Sequence, residues 1–199
     1  MKRQLTTTAV VAVAAVAAAL VGAAPAYAVN TCTTPTPCPT TVTFDITAGT
    51  LTITVPETAS LTTQAPSGTP QTRWAFGPLG SVTVNDTRAS GTDNWVVTVT
   101  GTAFTHSGAS PAIPTTDVYY CSGDATSVSG VGTFTPGQPS PCTAPPPADG
   151  DAVSTTPTAF THTLGVGANS ATWDPSLSVQ IPLSATVGTY TGTISHIVA

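Results

Sequence analysis

The sequence predicts an all-β protein: an Ig-like antiparallel β-sandwich with long Pro-rich loops. Three observations support this. Apolar residues alternate with threonine and serine in short runs. Residues with a high helix propensity are scarce: the chain has one methionine, against 19 prolines. Turn residues separate the runs about every 8–12 positions, a spacing typical of sandwiches and barrels.

The chain begins with a predicted signal peptide over residues 1–28. Lys2 and Arg3 precede an apolar run, and Ala26-Tyr27-Ala28 has the small-x-small pattern of a cleavage site. The run is too short and too rich in alanine for the roughly 20 residues that a spanning helix needs. We therefore expect a secreted, extracellular chain that associates with the cell surface and does not insert in the membrane after cleavage.

The composition of the exported part limits its partners. It starts at Val29 and keeps only Arg73 and Arg88 against nine acidic residues, which gives a net charge of −7. With no basic patch, a nucleic-acid partner is not expected. The whole chain is 40% hydrophobic and 7% charged, a composition unlike that of disordered chains. We predict a Pro/Thr-rich segment over 29–40 and one β-sandwich domain over 41–199.

The individual strands are predicted from the alternation of apolar and polar residues. Val42, Phe44 and Ile46 alternate with polar neighbours, so residues 41–47 are predicted to form a strand with one buried face. Residues 132–158 are expected to be mostly loop. The other predicted strands are 51–55, 73–79, 81–85, 95–100, 118–121, 159–164, 170–173, 177–183 and 189–198.

The four cysteines are expected to form disulfides, because an even number in an exported chain favours bridges. Three pairings are possible. The local one, Cys32–Cys38 and Cys121–Cys142, is predicted because each pair closes a Pro-rich loop. A zinc site would need closely spaced cysteine pairs or nearby histidines, which the sequence lacks.

No catalytic pattern is visible, so we expect no enzyme activity, no cofactor and no bound metal. The sequence contains neither a G-x-S-x-G motif nor an H-E-x-x-H motif. His106, His162 and His196 lie far apart along the chain. Asp149-Gly150-Asp151 is interpreted as a polar loop tip, since the ligand series of a calcium loop is missing. A small hydrolase with a spatially assembled site is the remaining enzymatic alternative.

The aromatic residues are the candidate binding residues. Trp95 begins an apolar strand face and Trp173 precedes another strand, so both are expected to pack mainly in the core. Trp74, Tyr119 and Tyr120 are candidates for surface recognition. Flat rings whose polar tips stay in water suit stacking on sugars, and such residues are common at interfaces.

Two stretches of the chain resemble the WxL-type cell-wall domain. The first is GSVTVNDTR at 80–88 followed by WVVTVTG at 95–101: a short strand, an acidic-Arg turn and a tryptophan strand. The second is ATWDP at 171–175 with ATVGTYTGTI at 185–194. Trp95-Val96-Val97 stands where the family has Trp-x-Leu, and Asp174-Pro175 follows Trp173 at the second motif.

The resemblance implies a domain that sits non-covalently on the Gram-positive cell wall and binds peptidoglycan, with Trp95 and Trp173 as motif residues. The expected function is that of a secreted, non-catalytic cell-surface protein that associates with cell-wall glycan. The alternative is a structural or adhesin-like subunit that contacts surface proteins through exposed strand edges.

Overall fold

The computed structural model describes residues 31–62, 65, 73–88, 91–108, 111–142 and 150–199. The predicted signal peptide lies outside the described residues. The chain divides into two compact units, Met1–Phe44 and Asp45–Ala199. The described part of the first unit contains no strand, and its Cys32–Cys38 disulfide confirms one of the two predicted bridges.

The regular secondary structure of the second unit is almost all antiparallel strand, which confirms the predicted all-β, sandwich-like fold. Short 3-10 turns at Thr115–Asp117 and Val153–Thr155 interrupt them. The strands are β1 (Leu51–Thr54), β2 (Trp74–Pro78), β3 (Val82–Asp86), β4 (Trp95–Gly101), β5 (Thr105–His106), β6 (Val118–Cys121), β7 (Ala125–Pro136), β8 (Asp151–Ala152), β9 (Thr158–Trp173), β10 (Ser176–Gln180), β11 (Tyr190–Thr191) and β12 (Ile194–Val198).

The larger sheet is organised around the long strand β9. β7 pairs along one edge of β9, and the other edge is shared by β3 and β4. β1 pairs with β3, and β12 pairs with β4, which gives the order β1-β3-β9-β4-β12. A second sheet has the order β2-β10-β6-β8, and β5 and β11 form a small ribbon.

The hydrophobic core is formed by the inward residues of both sheets. Because successive side chains of a strand point to opposite faces, every second side chain faces the space between the sheets. The larger sheet contributes Val82, Val84, Trp95, Val97, Val99, Phe160, Ala171 and Trp173, and the second sheet contributes Val118, Tyr120, Leu177 and Val179.

Strand β9 folds back on itself. Phe160 and Trp173 are 13 residues apart, which in a straight strand would separate them by about 43 Å. Their rings instead stack with centroids 4.9 Å apart. The backbone turns where Leu164 and Gly167 have φ of 57° and 72°, and on β7 where Gly130 and Gly132 have φ of 100° and 136°. We call the region formed by residues 129–133 and 163–168 the corner.

The loop between β3 and β4 braces this corner from the inside. The Asp93 amide donates to the Gly165 carbonyl, and the Gly167 amide donates to the Asp93 carboxylate at 2.9 Å. The two ring nitrogens of buried His162 lie 2.9 Å from the Asp93 carbonyl oxygen and 3.2 Å from that of Val131. The loop therefore provides hydrogen-bond partners for backbone groups that a regular ladder would otherwise satisfy. The His162 ring lies between two carbonyls, and in its neutral form it has one N–H to donate to one of them.

The predicted strand over 41–47 is wrong. The structure assigns no strand there, and Val42, Phe44 and Ile46 are 81%, 82% and 76% exposed. The alternation marks the sequence of residues 41–47 as amphipathic. It says nothing about whether a strand edge is present to pair with that segment.

Four other predicted boundaries change. Residues 132–136 belong to β7, whose exposed glycine- and serine-containing pattern hides it in the sequence. The runs 159–164 and 170–173 are one strand, β9. The run 177–183 ends as a strand at Gln180, before Pro182. The run 189–198 divides into β11 and β12, which pair with different strands.

The predicted Cys121–Cys142 disulfide is also confirmed, with Cα atoms 5.8 Å apart. It ties the end of β6 to the loop after β7. Next to it, the buried Gln138 side chain donates to Asp151 at 2.8 Å and to the Thr158 carbonyl at 3.0 Å. The second predicted Pro-rich loop continues into residues 143–149, which lie outside the described residues.

We expect Gly165→Ala to destabilise the domain, because a Cβ at this position would lie 2.4 Å from the His162 ring and 2.5 Å from the Asp93 carbonyl oxygen. Overpacking of this kind costs about 1–3 kcal/mol. Urea unfolding followed by tryptophan fluorescence measures it. Gly91→Ala is the matched control, since nothing lies within 4 Å of a Cβ there. Equal stability of the two variants would contradict the bracing role of the corner contacts.

Candidate functional site: an aromatic face on the second sheet

Three of the five aromatic candidates lie in the core. Trp95, Trp173 and Tyr120 are at most 1% exposed. The Trp95 indole donates to Asn169 at 2.7 Å, which links β4 to the far arm of the bent β9. These three rings therefore hold the domain together and present no face to a ligand.

A buried hydrogen-bonded chain connects Trp173, Tyr120 and His196. The Trp173 indole donates to the Tyr120 hydroxyl, and that hydroxyl lies 3.1 Å from His196 Nε2. Because the indole N–H can only donate, the Tyr120 hydroxyl oxygen accepts from it, and the hydroxyl hydrogen can be donated to His196 Nε2. Burial raises the pKa of Tyr120 and lowers the pKa of His196 to about 4. His196 is therefore held neutral at physiological pH.

The other two candidates, Trp74 and Tyr119, meet on the outer face of the second sheet. Their rings pack edge to face with centroids 5.6 Å apart. Neither residue belongs to the core cluster. Trp74 is 8% exposed and contributes mainly as the packing partner of Tyr119, which is half-buried.

Phe76 completes this group, which we call the aromatic face: Trp74, Phe76 and Tyr119. Strand register places Ser178 of β10 opposite Phe76 on one side and opposite Tyr119 on the other. Gln180 pairs with Trp74 in the same way. The rings therefore lie on β2 and β6, and Ser178 and Gln180 of β10 lie between these two strands.

Sequence reasoning missed Phe76 and Ser178. Phe76 lies two residues after Trp74, and period-2 alternation alone indicates that both point to the same side of β2. The pairing with β10 and β6 that brings in Ser178 and Tyr119 is a property of the folded sheet and carries no local signal.

Both arginines of the exported chain are held by contacts within the domain. Arg88 is neutralised by Asp86, with Nη2 to Oδ2 at 2.8 Å. Burial opposes ionisation of Asp86, but hydrogen bonds from Arg88 and its positive charge outweigh this and lower the Asp86 pKa. Arg73 precedes Trp74 and donates to the Ile181 carbonyl at 2.7 Å. Recognition on this face would therefore depend on stacking and neutral hydrogen bonds.

Two pockets lie elsewhere on the domain. One of about 380 Å³ lies between the start of β12 and residues 55–61 that follow β1, and His196 and Glu57 are among its lining residues. A larger groove of about 800 Å³ continues from it along residues 185–192. Among the described residues, no group of three or more His, Cys, Asp or Glu side chains is placed to hold a metal ion.

Comparison with known proteins gives no match: no protein-family model, no curated protein and no solved structure is significantly similar to the chain. The resemblance to the WxL-type domain therefore stays a prediction. Within the described part of the chain, no helix is long and apolar enough to cross a membrane.

We expect core and face aromatics to differ sharply in their effect on stability. Trp173→Ala empties a core position and removes the hydrogen-bond donor to Tyr120, so it should lower the free energy of unfolding by about 3–5 kcal/mol. Tyr119→Ala should cost about 1 kcal/mol. Chemical denaturation of both variants measures this difference. A Tyr119→Ala variant as unstable as Trp173→Ala would place Tyr119 in the core.

Neutral His196 makes stability fall in mild acid. Its pKa is about 4 in the folded chain against an ordinary 6.5, so the unfolded chain takes up the proton first as the pH falls. Stability is full above about pH 6.5 and declines to about pH 4, by up to about 3 kcal/mol. Urea unfolding at a series of pH values measures the loss. His196→Gln does not titrate and should flatten the curve in this window, and an unchanged slope would refute the assignment.

Proposed function

We propose that this protein is a secreted, non-catalytic cell-surface protein that associates non-covalently with cell-wall glycan through the aromatic face. The observation that carries the proposal is the Trp74–Tyr119 pair on the outer side of the second sheet, with Phe76 beside it. Rings of this kind offer flat apolar area together with a polar tip.

The surroundings of the face support binding to a neutral, hydroxyl-rich ligand. Ser178 is only 5% exposed, so it contributes little to binding. Tyr119 and Gln180 are partly exposed and carry a hydroxyl and an amide that both donate and accept. Their backbones lie in paired strands, so the face is rigid before binding and little conformational entropy is lost. The two disulfides fit an oxidising compartment, in agreement with the predicted signal peptide.

The test is co-sedimentation of the exported chain with washed Gram-positive cell walls. Wild type should bind saturably, and Tyr119→Ala and Phe76→Ala should each weaken binding about tenfold or more. Val96→Ala is the control, since this side chain is 39% exposed on the other sheet. Folding of each variant is checked by near-UV circular dichroism.

Two results would contradict wall binding through this face. One is equal binding by Tyr119→Ala and Val96→Ala. The other is binding that disappears at moderate salt, because screening at about 0.15 M acts on charge attraction and leaves stacking intact.

A second function, that of a structural subunit acting through strand edges, is favoured by the geometry of β12. The amide and carbonyl of Ala199 exchange hydrogen bonds with Val96. Antiparallel alternation then directs the backbone groups of Ile194, His196 and Val198 away from β4. This edge is a template on which a further strand can add.

A further inference from the structure

We propose that the β12 edge of one copy is the acceptor for residues 41–47 of a second copy of this chain. This inference rests on the second proposed function, edge pairing, and adds the identity of the strand that pairs. The segment TVTFDIT belongs to no strand, and its three apolar side chains are at least 76% exposed.

The donor segment has the pattern of a half-buried strand. Val42, Phe44 and Ile46 occupy one face, and Asp45 lies on the other with three threonines. An amphipathic strand left in water exposes apolar area whose burial is favourable. Each chain therefore carries a segment patterned for a sheet in which it does not itself pair.

The acceptor edge has the matching geometry. β12 is five residues long, and Ile194, His196 and Val198 are partly buried on the inner side while Ser195 and Ile197 are exposed. A strand added beside β12 would place alternate side chains level with Ile194 and His196. Those two residues line the pocket of about 380 Å³.

The pocket itself suits apolar side chains. Its apolar lining includes Leu79, Val82, Phe104, Leu177 and Ile194, and Glu57 and His196 are among its polar lining residues. The start of β12 forms one side of this pocket, and residues 55–61 form the other. A side chain that entered the pocket would therefore be enclosed on both sides. Phe44 is the largest of the donor side chains and is the one expected to fill it.

Three of the other sheet edges, those of β8, β7 and β2, are less suitable. β8 has two residues. The free edge of β7 belongs to a strand with most side chains exposed on both faces, so it offers no apolar cleft. The edge of β2 is partly occupied, because the Thr62 amide donates to the Phe76 carbonyl.

Charge does not oppose the contact, although the exported chain is negative. β12 contains no acidic residue, and the acidic residue of the pocket is Glu57. The only ionised residue of the donor segment, Asp45, alternates onto the face opposite the apolar side chains that would enter this pocket. The strand and the edge are different surfaces, so the contact is head to tail. Each copy can then donate to one neighbour and accept from another, which builds a ring or an open chain.

The test uses the full exported chain with both disulfides intact, purified from a secreting host. Its mass is measured by analytical ultracentrifugation over a wide range of concentration. Phe44→Asp is the donor variant. Thr43→Asp is the matched control, because it adds the same charge to the adjacent, polar face of the same segment.

We expect the wild type and Thr43→Asp to assemble with rising concentration. Phe44→Asp should need at least about tenfold more protein to assemble, since it loses the burial of one large apolar side chain. Amide hydrogen exchange over residues 194–199 should slow in the assembled wild type and stay fast in Phe44→Asp.

Each other outcome contradicts the proposal in a distinguishable way. Assembly that survives Phe44→Asp with residues 194–199 still protected means that edges pair without this donor, so edge pairing stands and the donor assignment fails. A wild type that stays monomeric with an unprotected edge refutes both. A monomeric wild type that loses thermal stability on Phe44→Asp shows that the segment docks on its own chain.

Discussion

The fold depends on one constraint, the sharp bend in the longest strand. β9 pairs with β3 near Trp173 and with β4 near His162, so both sections of the larger sheet rest on one strand. Because β9 turns between them, Phe160 and Trp173 meet in the same core. Without the bend, each section would expose its apolar face.

The bend is maintained by polar contacts within an apolar domain. Strongly turned backbone cannot complete a regular ladder, so buried amides and carbonyls need other partners. Asp93 and His162 provide them at the inner side of the corner. The outer side carries Val131, Leu164 and Val166, all more than half exposed, and Leu164 adopts a φ that leucine rarely takes. Local strain and exposed apolar area therefore coincide where the sheet turns.

The aromatic residues divide between two tasks, and strand direction decides which. Along β6, Tyr119 points outward to Trp74 while Tyr120 points inward to Trp173. Tyr119 is thus a candidate ligand contact, whereas its neighbour Tyr120 is a buried member of a hydrogen-bonded chain. This is why a pair of adjacent tyrosines, treated alike in the sequence, has two different environments.

The sequence by itself determined the all-β class, the two disulfides and the inward faces of β3 and β4, because alternation and cysteine spacing are local properties. It also marked residues 41–47 as amphipathic. Only the tertiary structure decided that this segment is in no strand, that residues 158–173 are one bent strand, and that Phe76 joins Trp74 and Tyr119. Those outcomes depend on which edges meet, and pairing between distant strands has no signature within either strand.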